Sequence, residues 1–257
     1  MSNAWVRCFE ARPQARLRLF CFPYAGAGAS VYRLWHNDLP RTVEVHALQL
    51  PGRETRLHEA PLTRMSDVVA GAVQAMQPLL DRPFAFFGHS MGALLASEVA
   101  RALQLRGAAR PRLLMLSARR APSLPDTDAP THALDHDDFV AEIDRRYGGI
   151  PKEVMAHREL MELLVPALRA DMAVMETHSP QLEPLLDVPV HAVGGAADPR
   201  VQRAQLEAWR GLTSGAFGLS IIAGDHFFIN SRRAELLALV AEKLNALVAA
   251  ASAQVTA

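Results

Sequence analysis

The sequence predicts an α/β domain with a mostly parallel central sheet and helices on both faces. Six short runs rich in Val, Ile, Leu and Phe are typical of buried parallel strands: residues 17–22, 43–50, 84–87, 113–116, 188–193 and 219–223. Helical patterns follow most of these runs, over residues 65–80, 93–105, 201–209 and 233–248. Because strands that alternate with helices form parallel sheets, both observations indicate the same fold class.

One stretch between residues 117 and 188 interrupts this alternation, because it contains no strand pattern. We therefore predict a single domain over residues 1–257 with a helical insertion at about 119–186. Ligands of open α/β sheets bind at the carboxyl edge of the strands, so an insertion over this edge is placed to act as a lid. The alternative is a helical subdomain that only enlarges the core.

Two helices are predicted inside this insertion. The first has Asp135 or Asp137 as its N-cap and ends at Gly148 and Gly149. The second is long and rich in methionine, and Pro166 in its middle is expected to kink or break it.

Charge and hydropathy narrow the class of partner. Lys+Arg and Asp+Glu are equal at 27 each, which argues against a nucleic-acid or anionic membrane surface. The N-terminal residues lack the apolar core of a signal peptide, and no run of about 18 apolar residues occurs, so a cytoplasmic location is expected.

Cys8 and Cys21 fit neither a disulfide framework nor a metal-ligand spacing, and both are expected to be buried thiols.

A short motif at the end of one predicted strand carries the main chemical signal. The segment FFGHSMGALL contains Gly88-x-Ser90-x-Gly92 between a strand pattern and a helix pattern. This spacing is typical of a nucleophile elbow, a strained turn that holds a serine hydroxyl away from the backbone. Ser90 is therefore the candidate nucleophile.

A serine hydroxyl is a weak nucleophile at neutral pH, so it needs a base and a group that orients the base. In α/β-hydrolases the acid follows the nucleophile along the chain and the histidine comes last, each after a later strand. Asp198 follows the strand pattern VPVHAVGG, and His226 follows LSIIAG. These two residues are the predicted acid and base, and Asp171 and Glu183 remain as substitutes for the acid.

Other histidines and acids fit less well. His89 is adjacent to Ser90 and is expected to pack or to fix the loop, whereas His191 lies inside a strand pattern and is expected to be a core histidine. His178 lacks the required chain order but remains a candidate for lining the lid cavity. Asp225 is adjacent to His226, and Asp187 precedes its strand.

Acyl transfer also requires hydrogen-bond donors for the oxyanion of the tetrahedral intermediate. The backbone amide of Met91, directly after the nucleophile, is one candidate. The loop PYAGAGAS after the first strand supplies the second, with Ala25 preferred and Tyr24 as the alternative. A dinucleotide-binding loop is disfavoured here, because Val31 stands where that motif requires a small residue.

Together these motifs resemble one family, the type II thioesterases of polyketide and nonribosomal peptide synthesis, which have the α/β-hydrolase fold. The resemblance runs from about Arg18 to Ile229 and rests on FPYAGAGAS, LQLPGRETRLHEAP, FGHSMGALLASEVAR, SARRAPSLP, LMELLVPALRADMAVMETH, GGAADPRV and GDHFF. The resemblance implies that Ser90 is the nucleophile, Asp198 the acid and His226 the base. It also implies that the oxyanion amides are those of Met91 and Ala25.

The resemblance further implies hydrolysis of acyl thioesters on the phosphopantetheine arms of acyl or peptidyl carrier proteins. No metal and no bound cofactor is expected, because the phosphopantetheine belongs to the carrier. The alternatives are a general acyl-CoA or medium-chain fatty acyl thioesterase, an ester hydrolase, and a non-catalytic module that binds carrier proteins. Spacing and composition alone reach only a serine hydrolase that acts on an acyl compound.

Two groups of residues are predicted to contact the substrate or its carrier. The lid residues Met172 and Met175 are expected to line the acyl cavity, because methionine suits a cavity that accepts several chain shapes. Tyr24 is a further candidate for substrate contact, and it stands where many members of the resembled family carry histidine. Carrier proteins are commonly acidic, so four arginines are candidates for steering them: Arg53, Arg56, Arg119 and Arg120. The alternative is that these arginines are ordinary surface or structural charges.

Overall fold

The computed structural model describes residues 3–148 and 152–255, with a seven-stranded sheet at the centre. The strands are β1 (Val6–Arg7), β2 (Leu17–Phe22), β3 (Val43–Leu48), β4 (Phe84–His89), β5 (Leu114–Ser117), β6 (Val190–Gly195) and β7 (Phe217–Ile222). Their order in the sheet is β1-β3-β2-β4-β5-β6-β7, and every pair is parallel except the β1–β3 pair. The mostly parallel sheet is confirmed, and β1 is a short antiparallel strand that the sequence pattern did not predict.

The helices lie between these strands and after the last one. They are α1 (Trp35–Asp38), α2 (Met65–Met76), α3 (Met91–Leu105), α4 (His136–Tyr147), α5 (Lys152–Met155), α6 (Arg158–Glu176), α7 (Arg203–Glu207), α8 (Phe228–Ser231) and α9 (Arg233–Val255). No helix within the described ranges is both long and apolar enough to cross a membrane.

The hydrophobic core has two parts, one on each face of the sheet. Alternate residues of β2 show why, since Phe20 and Phe22 pack with α2 and α3, whereas Leu19 and Cys21 pack with α1 and α9. Side chains of a strand alternate between faces, so a strand that is apolar throughout needs a helical layer on each side. The five central strands are therefore buried on both faces, whereas β7 at the edge is partly exposed. The carboxyl edge of the sheet remains for a site.

The insertion between β5 and β6 contains α4, α5 and α6. Asp135 is the N-cap of α4, where its side chain accepts a hydrogen bond from the Asp138 backbone amide at 3.1 Å. Gly148 ends α4 in the left-handed conformation, and Gly149 lies outside the described residues. The predicted break at Pro166 is wrong, because α6 continues through it.

The two cysteines have different environments. Cys21 is buried in β2 as expected, but Cys8 is exposed. Cys8 directly follows the two-residue strand β1, which lies at the edge of the sheet. An edge strand has a neighbour on one side only, so the segment that follows it reaches the surface.

Candidate active site

Ser90 stands on a strained turn between β4 and α3. Its backbone has φ 54° and ψ −114°, in a region that non-glycine residues rarely adopt. The flanking glycines permit the close packing of this turn. A Cβ atom on Gly88 would lie 2.1 Å from the carbonyl oxygen of Gly92, and one on Gly92 would lie 1.9 Å from that of Phe22. The turn therefore has the geometry that the Gly-x-Ser-x-Gly spacing predicted.

The structure brings Ser90, His226 and Asp198 into one hydrogen-bonded row. The Ser90 hydroxyl lies 3.1 Å from His226 Nε2, and His226 Nδ1 lies 2.9 Å from Asp198 Oδ2. A carboxylate can only accept, so Nδ1 carries the proton and Nε2 is free to accept from the serine. All three residues are buried. This is the arrangement in which a histidine can remove a serine proton.

The Asp198 side chain is completely buried and held from two sides. Its Oδ1 accepts hydrogen bonds from the backbone amides of Arg200 at 2.8 Å and Val201 at 3.3 Å. The two alternative acids are elsewhere. Asp171 pairs with Arg53, and Glu183 is exposed.

His89 lies behind the base and contacts its backbone. Its Nε2 donates to the carbonyl oxygen of His226 at 2.9 Å, and its Nδ1 accepts from the Ser117 hydroxyl at 2.9 Å. Burial, and then electrostatic repulsion from His226, lower the pKa of His89 to about 3. His89 is therefore neutral and fixes the loop that carries the base, as its position next to Ser90 suggested.

We expect His89 to make the protein less stable as the pH falls below about 6.5. In the unfolded chain a histidine protonates near pH 6.5, whereas in the fold the pKa of His89 is about 3. The unfolded state therefore binds the proton first. The stability contributed by neutral His89 is complete above pH ~6.5 and is lost as the pH falls toward 3, with about 2 kcal/mol lost by pH 5.

Urea unfolding of the native chain and of His89→Gln at pH 7 and pH 5 measures this effect. The variant should lose about 2 kcal/mol less than the native chain over this interval, because the other titrating groups are common to both. An equal loss in both chains would contradict the assignment.

The two candidate oxyanion donors are backbone amides near the serine. Met91 is the first residue of α3, where amide groups have no partner within the helix. Ala25 lies in the loop after β2, and β2 pairs directly with β4. Within the part of the chain that the structure describes, neither amide donates to a protein acceptor. Both are therefore available to a bound oxyanion.

A cavity of about 380 Å³ opens beside Ser90 and His226. Its walls come from the loop after β2, the segment after β3 and the insertion, and they include the three predicted contact residues Tyr24, Met172 and Met175. Most of the other insertion residues in the wall are apolar: Ile143, Val154, Met161, Leu163, Leu164, Val165, Ala167 and Leu168. Leu163 and Leu164 are about half exposed and form the rim. The cavity thus suits an apolar group next to the serine.

One aromatic residue of the insertion was not found by sequence reasoning. The ring of Tyr147, at the end of α4, lies 5.5 Å from the ring of His226. The guanidinium of Arg200 lies 5.3 Å from the centre of the Tyr147 ring. No local pattern marks Tyr147, because only the folding of the insertion onto the sheet brings it to the base.

The arginines predicted to steer a carrier protein do not form a free basic surface. Arg53 and Arg56 are buried, and they pair with Asp171 and Glu59, respectively. Arg120 pairs with Asp126. Burial lowers the pKa of Arg119, and its Nη1 lies 3.6 Å from the Met175 sulfur. Three of the four arginines are paired with carboxylates and Arg119 is desolvated by burial, so none of the four presents an unpaired charge at the surface for steering.

One group of residues has ligand types found in metal sites. Candidate ligand atoms of Cys8, Glu44 and His46 lie within 4.8 Å of one another. However, Glu44 Oε2 already accepts from His46 Nε2 at 2.7 Å and from Arg18 Nε at 3.3 Å, and Oε1 accepts from the Arg12 amide at 2.8 Å. The cationic Arg18 side chain so close to the carboxylate does not suit a metal ion.

A serine, an acid and a histidine in this chain order, at the carboxyl edge of a mostly parallel sheet, define an α/β-hydrolase fold. A model of the thioesterase domain family matches residues 17–246. The chain belongs to this family and is a hydrolytic enzyme that acts on thioesters.

Similar proteins agree with the resemblance to type II thioesterases. The chain is 38% identical to the gramicidin S biosynthesis protein GrsT of Aneurinibacillus migulanus, over 96% of each chain. It is 40% identical to the RedJ thioesterase from the prodiginine pathway of Streptomyces coelicolor, with a TM-score of 0.83 over 90% of this chain and 92% of that one. The type II thioesterase BorB of the borrelidin cluster is 34% identical, with a TM-score of 0.83 over 95% and 98%.

Proposed function

We propose that the protein hydrolyses acyl groups from the phosphopantetheine arms of acyl or peptidyl carrier proteins, and so clears stalled units from a polyketide or nonribosomal peptide synthase. The observation that carries this proposal is the Ser90–His226–Asp198 row at the wall of an apolar cavity. The names of RedJ and BorB, which place those proteins in biosynthetic pathways or clusters, support the choice of substrate class.

In the proposed mechanism the chain supplies a nucleophile, a base and oxyanion donors. His226 Nε2 takes the hydroxyl proton of Ser90 while Ser90 Oγ attacks the thioester carbonyl. The amides of Met91 and Ala25 bind the oxyanion that forms, and the proton passes to the departing thiol. Water, deprotonated by His226, then attacks the acyl-serine ester, and the carboxylic acid leaves as the proton returns to Ser90 Oγ.

The proposal distributes recognition between two regions. The apolar wall formed by the insertion receives the acyl group, and its methionines, Met161, Met172 and Met175, adapt to different chains. The rim of the cavity receives the phosphopantetheine arm, and the carrier protein remains outside the cavity. An enzyme with this arrangement accepts varied acyl groups and discriminates by what carries them.

We expect kcat/KM to be about tenfold higher for an acyl group on a carrier protein than for the same group on coenzyme A or N-acetylcysteamine, which corresponds to ~1.4 kcal/mol of additional transition-state binding. A discontinuous assay of the released acid, with butyryl and hexanoyl groups on all three thiols, measures this ratio. Ser90→Ala supplies the background rate.

Each other outcome identifies an alternative. Equal kcat/KM values for the acyl group on the carrier protein, coenzyme A and N-acetylcysteamine would contradict carrier recognition and indicate a general acyl thioesterase. Faster hydrolysis of the matching oxygen ester would indicate an ester hydrolase. Carrier binding without any release of acid would indicate a binding module.

A further inference from the structure

The loop that carries the Ala25 amide is attached to the insertion through one buried carboxylate. Asp171 lies on α6, its side chain is only 2% exposed, and its Oδ2 accepts a hydrogen bond from the Gly26 amide at 2.7 Å. The same carboxylate forms a two-pronged pair with Arg53, at 2.5 Å and 2.8 Å. Arg53 Nη1 also donates to the carbonyl oxygen of Ala27 at 3.1 Å. The pair therefore binds the loop at two successive positions.

These contacts bear on the direction of the Ala25 amide. The Ala27 amide donates to the Tyr24 carbonyl oxygen at 3.0 Å, and Gly26 has φ 77°, as in a type II turn. The Tyr24 carbonyl and the Ala25 N–H share one planar peptide, so fixing the carbonyl directs the N–H to the opposite side. Asp171 and Arg53 hold the other two residues of this turn.

We propose that Asp171 is a positioning residue that completes the oxyanion hole from the insertion. It does not touch the substrate, and it acts through Gly26 on the Ala25 amide. Because Asp171 belongs to α6, the hole is complete only when this helix is seated on the loop. Seating of the insertion over the acyl group is thereby coupled to hydrolysis. The inference rests on the proposed role of the Ala25 amide in the mechanism.

Removing one member of a buried ion pair leaves an uncompensated charge and unfolds many proteins, so single variants are poor tests. Two double variants avoid this problem, because both lack the buried charges. Arg53→Met with Asp171→Asn keeps a side-chain oxygen that accepts from the Gly26 amide. Arg53→Met with Asp171→Leu has a side chain of similar size and no acceptor. The two variants therefore differ only in the contact to be tested.

We expect the Asn variant to stay within about threefold of the native kcat, and the Leu variant to lose roughly 10²-fold in kcat with little change in KM, as when an oxyanion donor is removed. The substrate is a hexanoyl N-acetylcysteamine thioester, which needs no carrier recognition. A hexyl boronic acid, which mimics the tetrahedral intermediate, should bind the Leu variant correspondingly more weakly. Hexanamide, which mimics the substrate, should bind both variants equally. Thermal unfolding and circular dichroism establish that both variants are folded.

Equal kcat values for the two folded variants would overturn the proposal. So would a loss in the Leu variant that affects hexanamide and the boronic acid to the same extent, because that result indicates a general distortion of the cavity. Failure of carrier recognition would appear instead in the native chain, as equal kcat/KM on the three thiols. The two proposals can thus fail separately.

Discussion

Replacing Ser90 with alanine is expected to abolish formation of the acyl-enzyme and to lower turnover by roughly 10⁶-fold, the scale found when a serine protease loses its nucleophile. The variant removes the only atom that forms the covalent bond to the acyl group in the proposed mechanism. Alanine keeps the Cβ atom, so the strained backbone at φ 54° is not further disturbed and the fold should persist. Intact-protein mass spectrometry after mixing with an acyl thioester measures the adduct.

Ser97→Ala is a matched control for this variant. Ser97 is also buried and lies on α3, the helix that follows Ser90, but its hydroxyl donates to the carbonyl oxygen of Leu94 at 2.7 Å. This control should form the acyl adduct at the native rate. An adduct of the Ser90→Ala protein at any other residue would contradict the assignment of the nucleophile.

Replacing Asp198 with asparagine is expected to lower kcat by about 10⁴-fold, the loss observed when the orienting carboxylate of a serine protease becomes an amide. In the native chain, Asp198 Oδ2 accepts a hydrogen bond from His226 Nδ1 at 2.9 Å. An asparagine amide facing Nδ1 would donate instead, and the ring proton would move to Nε2. His226 would then have no acceptor for the Ser90 proton.

Asp187→Asn is the control for the carboxylate. Asp187 is exposed and pairs with Arg110 at the surface, so this variant should retain native turnover. Steady-state kinetics of both variants, with the fold checked by circular dichroism, distinguish a carboxylate that orients His226 from one that only forms a surface ion pair. A loss below tenfold in Asp198→Asn would point to another acid.

The sheet and the hydrogen-bonded row of Ser90, His226 and Asp198 were accessible to sequence reasoning for a local reason. Buried parallel strands are short apolar runs, and residues 17–22 of the sequence coincide with β2. Asp198 and His226 each follow such a run, and parallel strands end at the same edge of the sheet. Chain order and strand position were therefore sufficient to predict that the two side chains meet Ser90.

Other predictions failed where a long-range contact decides the outcome. Pro166 was expected to kink or break its helix, and the break is wrong, because α6 continues through Pro166 and is buried along one face against the core. Packing of an apolar face outweighs the local cost of a proline, which lacks an N–H. Arg53 was a candidate docking charge, with an ordinary surface or structural charge as the alternative, and the structure buries it in an ion pair. Arg53 pairs with Asp171, which lies 118 positions later in the chain, and the local sequence around either residue does not predict this pair.

The sequence by itself predicted the parallel sheet, the glycine-flanked turn at Ser90 and the meeting of Ser90, Asp198 and His226, because periodicity, glycine spacing and chain order are local properties. Only the tertiary structure decided how the insertion lies over them. It brought Tyr147 to His226 and Asp171 to the Gly26 amide. Such contacts depend on how two distant surfaces fit after each has folded, and the free energy that selects them comes from burial and ion pairing across the whole chain.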